Sequence, residues 1–273
     1  MFFHHTIPEK LMGATLPHID YFNMHGILER GFLHPGGKNA TEKLLNHLAT
    51  LQPQATVLEI GCGIGKTAKL LLDRYPYRYA GIDASPSMLK RASTRLLPYD
   101  GRSTLTECDL LHSALPLDSD SVSAIIAESV FEVLMVEQIL HECHRVLQDD
   151  GLLCFNSRMW SGTTSSGERR EANAFTRRLL GVPAAPEEPA TIDEWTALLA
   201  KVGFEVITRE RLDATRHDAQ EIDYRHAQRL TTFAQMILHP SYVGYWWKNK
   251  RVENRFRHIW NKMESWMIVA KKM

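Results

Sequence analysis

Short apolar runs and amphipathic stretches alternate along most of this chain. Val57, Leu58 and Ile60 form the first run, of the kind that fills a buried parallel strand; residues 122–127 are a continuous apolar strand, residues 79–83 read as a strand ending in an acid and residues 204–208 as another strand. Between the runs lie helical stripes. Leu44, Leu45 and Leu48 share one side of residues 40–51, residues 67–74 are amphipathic, and Ile139, Leu140, Cys143, Val146 and Leu147 line one face of residues 136–147. Strand and helix signals in alternation predict an α/β domain built on a parallel sheet.

Local punctuation sharpens the element ends. Ser85-Pro86 reads as an N-cap with proline at the first helical position, in a helix that carries Met88 and Leu89. Thr191 to Glu194 reads as a capping box that opens a helix through Lys201, and Gly203 stops it. At Asp150-Gly151 the glycine is expected to take the positive φ of a turn. Residues 156–190 look inserted: 161–167 is small and polar, hence flexible, 168–180 is a helix candidate, and VPAAPEEPA (182–190) reads as a proline-rich linker. Two further helices are predicted outside this core, at 18–30, broken by His34-Pro35-Gly36-Gly37, and at 217–238.

The candidate chemistry begins at residues 57–69, VLEIGCGIGKTAK. A strand, a glycine-rich turn with Gly61, Gly63 and Gly65, and a helix build a nucleotide-sized cradle, because glycines permit close backbone approach and a helix N-terminus offers free N–H groups. A dinucleotide fingerprint would need its third glycine at position 66, where Lys66 stands; an NAD-linked oxidoreductase is therefore the weaker alternative. Asp83 follows Glu59 by 24 residues at the end of the second run, where a carboxylate can accept from both ribose hydroxyls.

Glu59-x-Gly-x-Gly-x-Gly65, GIDASPSMLKRA, TECDL at 106–110 and HECHRVLQDDGLLCF at 141–155, in that order, resemble the class I S-adenosylmethionine-dependent methyltransferases. The resemblance covers residues 40–155, 191–210 and 265–271. It implies a Rossmann-like seven-stranded sheet, mostly parallel with an antiparallel last strand at 265–271, plus helical cap or lid segments. The cofactor would be S-adenosylmethionine, with S-adenosylhomocysteine as product. The implied binding set is Glu59, Gly61, Cys62, Gly63, Gly65, Asp83, Ala84 and Met88, joined by Asp109 for the adenine amino group and Leu110 for a ring nitrogen. Glu128 and Ser129 end the fourth strand near the methyl donor. Glu128 is the candidate catalytic residue, as a general base, though a carboxylate capping the next helix is an equal reading. Ser123 and Asp150 depart from the family's usual Asp and Gly. A Pro-Gly-Gly turn before Thr41 resembles a cofactor-side loop in one branch of the family.

Composition narrows the partners. A formal net charge of zero argues against a general nucleic-acid binder. No run approaches the length of a membrane span, and MFFHHTIPEK lacks a cationic n-region, so a cytoplasmic protein is expected. Cys62, Cys108, Cys143 and Cys154 lack CxxC spacing and read as free buried thiols. His141 and His144 have no third ligand at metal spacing and read as surface histidines; no metal is expected. Residues 243–273 carry eight Lys or Arg against two Glu, with Trp246, Trp247 and Trp260 interleaved, a solvated helix with its tryptophans packed inward. The expected organisation is a lid over 1–40 and a methyltransferase domain over 41–273, with cap insertions near 156–190 and 212–262. The acceptor is a small molecule methylated on O, N or C. A non-catalytic S-adenosylmethionine-binding protein is the alternative, and the oligomeric state stays open.

Overall fold

The structure is a computed structural model that describes residues 32, 34–212, 247, 248, 251, 254, 255 and 262–273. Seven strands form one sheet: β1 (Thr56–Ile60), β2 (Arg78–Asp83), β3 (Ser103–Glu107), β4 (Val122–Glu128), β5 (Leu147–Trp160), β6 (Phe204–Arg211) and β7 (Met263–Lys272). Their order is β3-β2-β1-β4-β5-β7-β6. The first five run parallel, and β7 slots antiparallel between β5 and β6. The order reverses between β1 and β4, which opens a ligand crevice beyond their carboxyl ends.

Six α-helices lie wholly within the described residues: α1 (Gly37–Asn46), α2 (Lys66–Arg74), α3 (Pro86–Leu96), α4 (Val136–Val146), α5 (Ser166–Leu180) and α6 (Ile192–Val202). Alternate strand residues feed two cores. Leu58, Ile60, Ile125 and Ala127 pack with Leu140 of α4 and Trp195 of α6, whereas Val57, Ala124 and Ile126 pack with Leu44 of α1 and Leu71 of α2. Side chains that alternate into two buried faces make the run apolar throughout. Each fully buried leucine or isoleucine contributes about 1.5–3 kcal/mol.

Several boundaries differ from expectation. The helix expected at 40–51 starts at Gly37 and ends at Asn46. Its N-cap Gly36 sits at φ 77°, and a Cβ there would lie 2.7 Å from the Ala40 Cβ. The positive φ of the 150–151 turn belongs to Asp150, at 60°, not to the glycine. Gly151 is required for space, since a Cβ would meet the Gln148 carbonyl oxygen at 2.7 Å. α5 carries a full capping box, Ser165 with Glu168, inside the stretch expected to be flexible. At α6 the box is split: Thr191 Oγ1 accepts from the Glu194 N–H, while the Glu194 carboxylate accepts from Ala190.

Residues 182–190 are no loose linker. Asn173 Oδ1 accepts from the Ala184 N–H at 2.9 Å, Asn173 Nδ2 donates to Ala185 O at 2.9 Å, and Trp160 Nε1 donates to Pro186 O at 2.8 Å. Alanines small enough to pack tightly and a buried asparagine that replaces missing ladder bonds hold a segment that composition alone reads as mobile.

His144 is half-buried rather than a surface residue: its ring packs edge-on against Phe204, 5.4 Å between centroids, under Gly203. Cys62, Cys143 and Cys154 are buried, but Cys108 is half-exposed. Trp247 is 59% exposed instead of packed inward. The rest of the basic aromatic stretch before residue 262, the helices predicted at 18–30 and 217–238, and most of the 1–40 and 212–262 segments lie outside the described residues. Among the described residues no helix is long and apolar enough to cross a membrane, and no group of three metal-ligating side chains converges.

Candidate cofactor pocket

The glycine turn leaves the carboxyl end of β1 and bends back over β2. The N–H groups of Gly61 and Cys62 both donate to Ile82 O, at 2.8 and 3.0 Å. A Cβ on Gly61 would lie 2.5 Å from Val130 Cγ2, so the turn passes too close to the loop after β4 for any side chain. Gly63 differs: its φ is 51°, yet an added Cβ would meet only Met88 Sδ, at 3.9 Å. The space above Gly63 is open, and it belongs to the cavity. Gly65 caps α2 at φ 73° against Ala92 of α3.

Asp83, the last residue of β2, joins the two motifs. Its Oδ2 accepts from the Gly63 N–H at 2.8 Å and its Oδ1 from the Ser85 N–H at 2.9 Å. Burial pushes its pKa up, and these two bonds pull it down. Each oxygen spends one lone pair on backbone and keeps another, so the carboxylate can still receive two ribose hydroxyls. Ser85 caps α3 by accepting from the Met88 N–H, which fixes Met88 under the cavity floor beside Ala84.

Asp109 lies two residues past the end of β3 at Glu107. Its carboxylate accepts from the Leu111 N–H at 3.1 Å and meets His112 Nδ1 at 3.1 Å. Leu110 and the half-exposed Cys108 line the same wall. Ser129, at φ 53°, turns the chain out of β4, its N–H bonded to Asn156 O.

Glu59 and Glu128 occupy different environments. Burial drives the Glu59 pKa well above the usual carboxylate range, against the Tyr79 hydroxyl that donates to it at 2.6 Å. Glu128 is held by three donors: Oε1 accepts from Thr41 Oγ1 and Asn156 Nδ2, both at 2.9 Å, and Oε2 from Thr67 Oγ1 at 2.9 Å. His34 completes the ring. His34 Nδ1 lies 3.2 Å from Asn156 Nδ2 and its Nε2 3.0 Å from Thr41 Oγ1; a neutral ring that accepts at Nδ1 carries its one proton at Nε2. Glu128 caps no helix.

The sequence reading did not single out Thr67, Asn156 or Tyr79, nor His34 beyond its place in the turn. No motif marks them, because their shared partners lie on separate strands and helices. Phe32, at φ 54°, lines the cavity with Lys66 Nζ 5.7 Å from its ring centroid. Glu132 was also passed over. One of its carboxylate oxygens accepts from the Arg158 N–H at 2.9 Å, the other is enclosed without a partner, and burial raises its pKa.

All of the sequence-derived set except Gly65 borders one cavity of about 240 Å³. It fits an S-adenosyl group in kind: open backbone at Gly63, a carboxylate with spare lone pairs at Asp83, a second acid at Asp109 and an apolar floor at Met88.

Residues 58–155 match the family described as methyltransferase domain. The uncharacterized methyltransferase YodH of Bacillus subtilis is 27% identical over 235 residues, 82% of this chain and 96% of that protein. A malonyl-[acyl-carrier protein] O-methyltransferase of Paenibacillus is 25% identical over 191 residues, 68% of this chain and 67% of the relative. Phosphoethanolamine N-methyltransferase 2 of Haemonchus contortus, solved with S-adenosylhomocysteine, has the same fold, with TM-score 0.67 at 18% identity over 93% of this chain and 57% of that one. The matched domain, the relatives and the shared fold together support a class I S-adenosylmethionine-dependent methyltransferase. It is an enzyme that uses S-adenosylmethionine as methyl donor.

Proposed function

We propose that the chain holds S-adenosylmethionine across the carboxyl ends of β1 to β4 and methylates a small molecule on O, N or C. The observation that carries this is Asp83, clamped by Gly63 and Ser85 at the lip of the open space above Gly63. Asp83 would take the ribose hydroxyls, Asp109 and Leu110 the adenine, and Met88 the underside of the base. Glu59, Gly61, Cys62, Gly65, Ala84 and Ser129 shape the cradle around them. The bound cofactor supplies an electrophilic methyl carbon, so the protein needs chiefly to position groups and exclude water.

We read Glu128 as a positioning residue rather than the base, because its oxygens are already held by Thr41, Thr67 and Asn156. The lid expected over 1–40 is supported by Phe32 and His34, which border the cavity, and the cap expected at 156–190 by Val182, Pro183 and Ala184, which border it too; most of the expected cap at 212–262 lies outside the described residues. Free thiols favour the cytoplasm, and zero net charge favours a small acceptor over nucleic acid. The named relatives act on a carrier-bound malonyl group and on phosphoethanolamine, so they do not select an acceptor chemistry.

Calorimetric titration with S-adenosylmethionine, S-adenosylhomocysteine and NADH tests the reading. Binding of the first two is expected; binding of NADH alone would overturn it.

A further inference from the structure

Beside the cofactor cavity lies a second cleft of about 550 Å³. Both are bordered by Leu111, Glu132, Val133, Leu134, Val182 and Pro183. These shared residues make the inner end of the cleft, next to the cofactor cavity, mostly aliphatic. The outer end belongs to the cleft alone and includes Met135, Arg177, Pro186, Glu187 and Glu188. One wall is the turn after β4. The other is the segment 181–188, which leaves α5 through Gly181 at φ 79° and is held by Asn173.

Charge at the outer end is uneven. Arg177 Nη1 lies 3.3 Å from Glu187 Oε1, which neutralises that cation. Glu188 adds a further negative charge with no ion pair among the described residues. An anionic group placed there would meet Glu188 with no unpaired cation among the described residues of the cleft wall, whereas a neutral or cationic group would not be repelled. Met135, 60% exposed, offers apolar surface that a flexible chain can cover.

We propose that the methyl acceptor enters through this cleft, and that it is an amphipath: an apolar body between Leu134 and Val182, and a neutral or cationic tail at Glu188. This rests on the methyltransferase reading of the neighbouring cavity. An acceptor with an anionic tail, such as a carboxylate or phosphate, is disfavoured by the same charge.

The test uses the full chain saturated with S-adenosylhomocysteine and titrated by calorimetry with 1-octanol, octylamine and octanoate, one chain with three head groups. Octanol and octylamine bind, and octanoate binds at least about tenfold more weakly than octylamine, the size expected of like-charge contact. Met135→Glu, at an exposed position, weakens octanol at least about tenfold by placing a charge on the apolar path. Glu188→Lys narrows the octylamine-to-octanoate ratio at least about tenfold. Octanoate binding as tightly as octylamine, an unchanged ratio in Glu188→Lys, or no binding of any probe overturns the cleft assignment. The S-adenosylhomocysteine titration separates the two layers. If the wild type does not bind it, the cofactor reading fails and the cleft falls with it; if it binds normally and the probes misbehave, only the cleft is lost.

Discussion

His34 Nε2 lies 3.3 Å from Glu128 Oε1, and the pair ties the chain entering α1 to the carboxyl end of β4 at the cofactor cavity. Around them Thr41, Thr67 and Asn156 donate from α1, α2 and β5. A carboxylate with this many donors is expensive to alter, since each buried donor left unpaired costs about 1–3 kcal/mol.

Glu128→Gln keeps the shape but points an amide N–H₂ at groups that already donate. It should lower unfolding free energy by about 2–3 kcal/mol and weaken S-adenosylmethionine binding as the cavity wall loosens. Chemical denaturation and calorimetry check both. A variant of unchanged stability and affinity that has lost turnover would restore Glu128 as the base.

Asp83→Ala should cut S-adenosylmethionine affinity by at least about tenfold, a loss of about 1.4 kcal/mol or more, while circular dichroism shows the fold retained. Unchanged affinity would remove Asp83 from the cofactor site.

The glycines separate packing from ligand. Gly61→Ala brings a Cβ to 2.5 Å from Val130 Cγ2 and should destabilise by about 1–3 kcal/mol. Val130→Ala in the same chain should recover part of that loss. Gly63→Ala meets nothing nearer than 3.9 Å, so beyond about 1 kcal/mol of left-handed strain its main effect should be on cofactor affinity. Thermal unfolding with and without S-adenosylhomocysteine distinguishes the two.

Asn173→Ala removes the clamp on residues 184 and 185. A loss of about 1–3 kcal/mol is expected, together with faster proteolysis between 181 and 188. Resistance equal to the wild type would mean that packing alone holds this wall.

Glu168 supplies a pH test. Hydrogen bonds from Lys262, and from the N–H and hydroxyl of Ser165, lower its pKa from the usual 4.5 to about 2. A depressed carboxyl stabilises the fold above the unfolded value and loses that contribution as pH falls through the folded value, so the window runs from about 4.5 down to about 2. Amide protection at the start of α5, corrected for the intrinsic pH dependence of exchange, should fall as pH drops through that window in the wild type and stay flat in Glu168→Gln.

Much of the sheet was legible in the chain because β1 and β4 are buried on both faces and read as apolar runs interrupted within only by Glu59 and Ser123, while Gly61-x-Gly-x-Gly65 and Asp83 mark the turns that carry the cofactor. Local signals misled where tertiary contacts substitute for them. The proline-rich 182–190 stretch is rigid because of Asn173 and Trp160, neither of which lies within it. At Asp150 a residue other than glycine took the left-handed turn because space, not φ, was scarce at Gly151.

By itself, then, the order of residues determined the strand and helix alternation, the glycine turn and the acids at or just past the ends of β2, β3 and β4, since these depend on neighbours along the chain. Only the tertiary structure decided that Glu128 is spent on Thr41, Thr67 and Asn156 and that a second cleft opens beside the first. Such pairings depend on distances between elements far apart in sequence, and no local pattern encodes them.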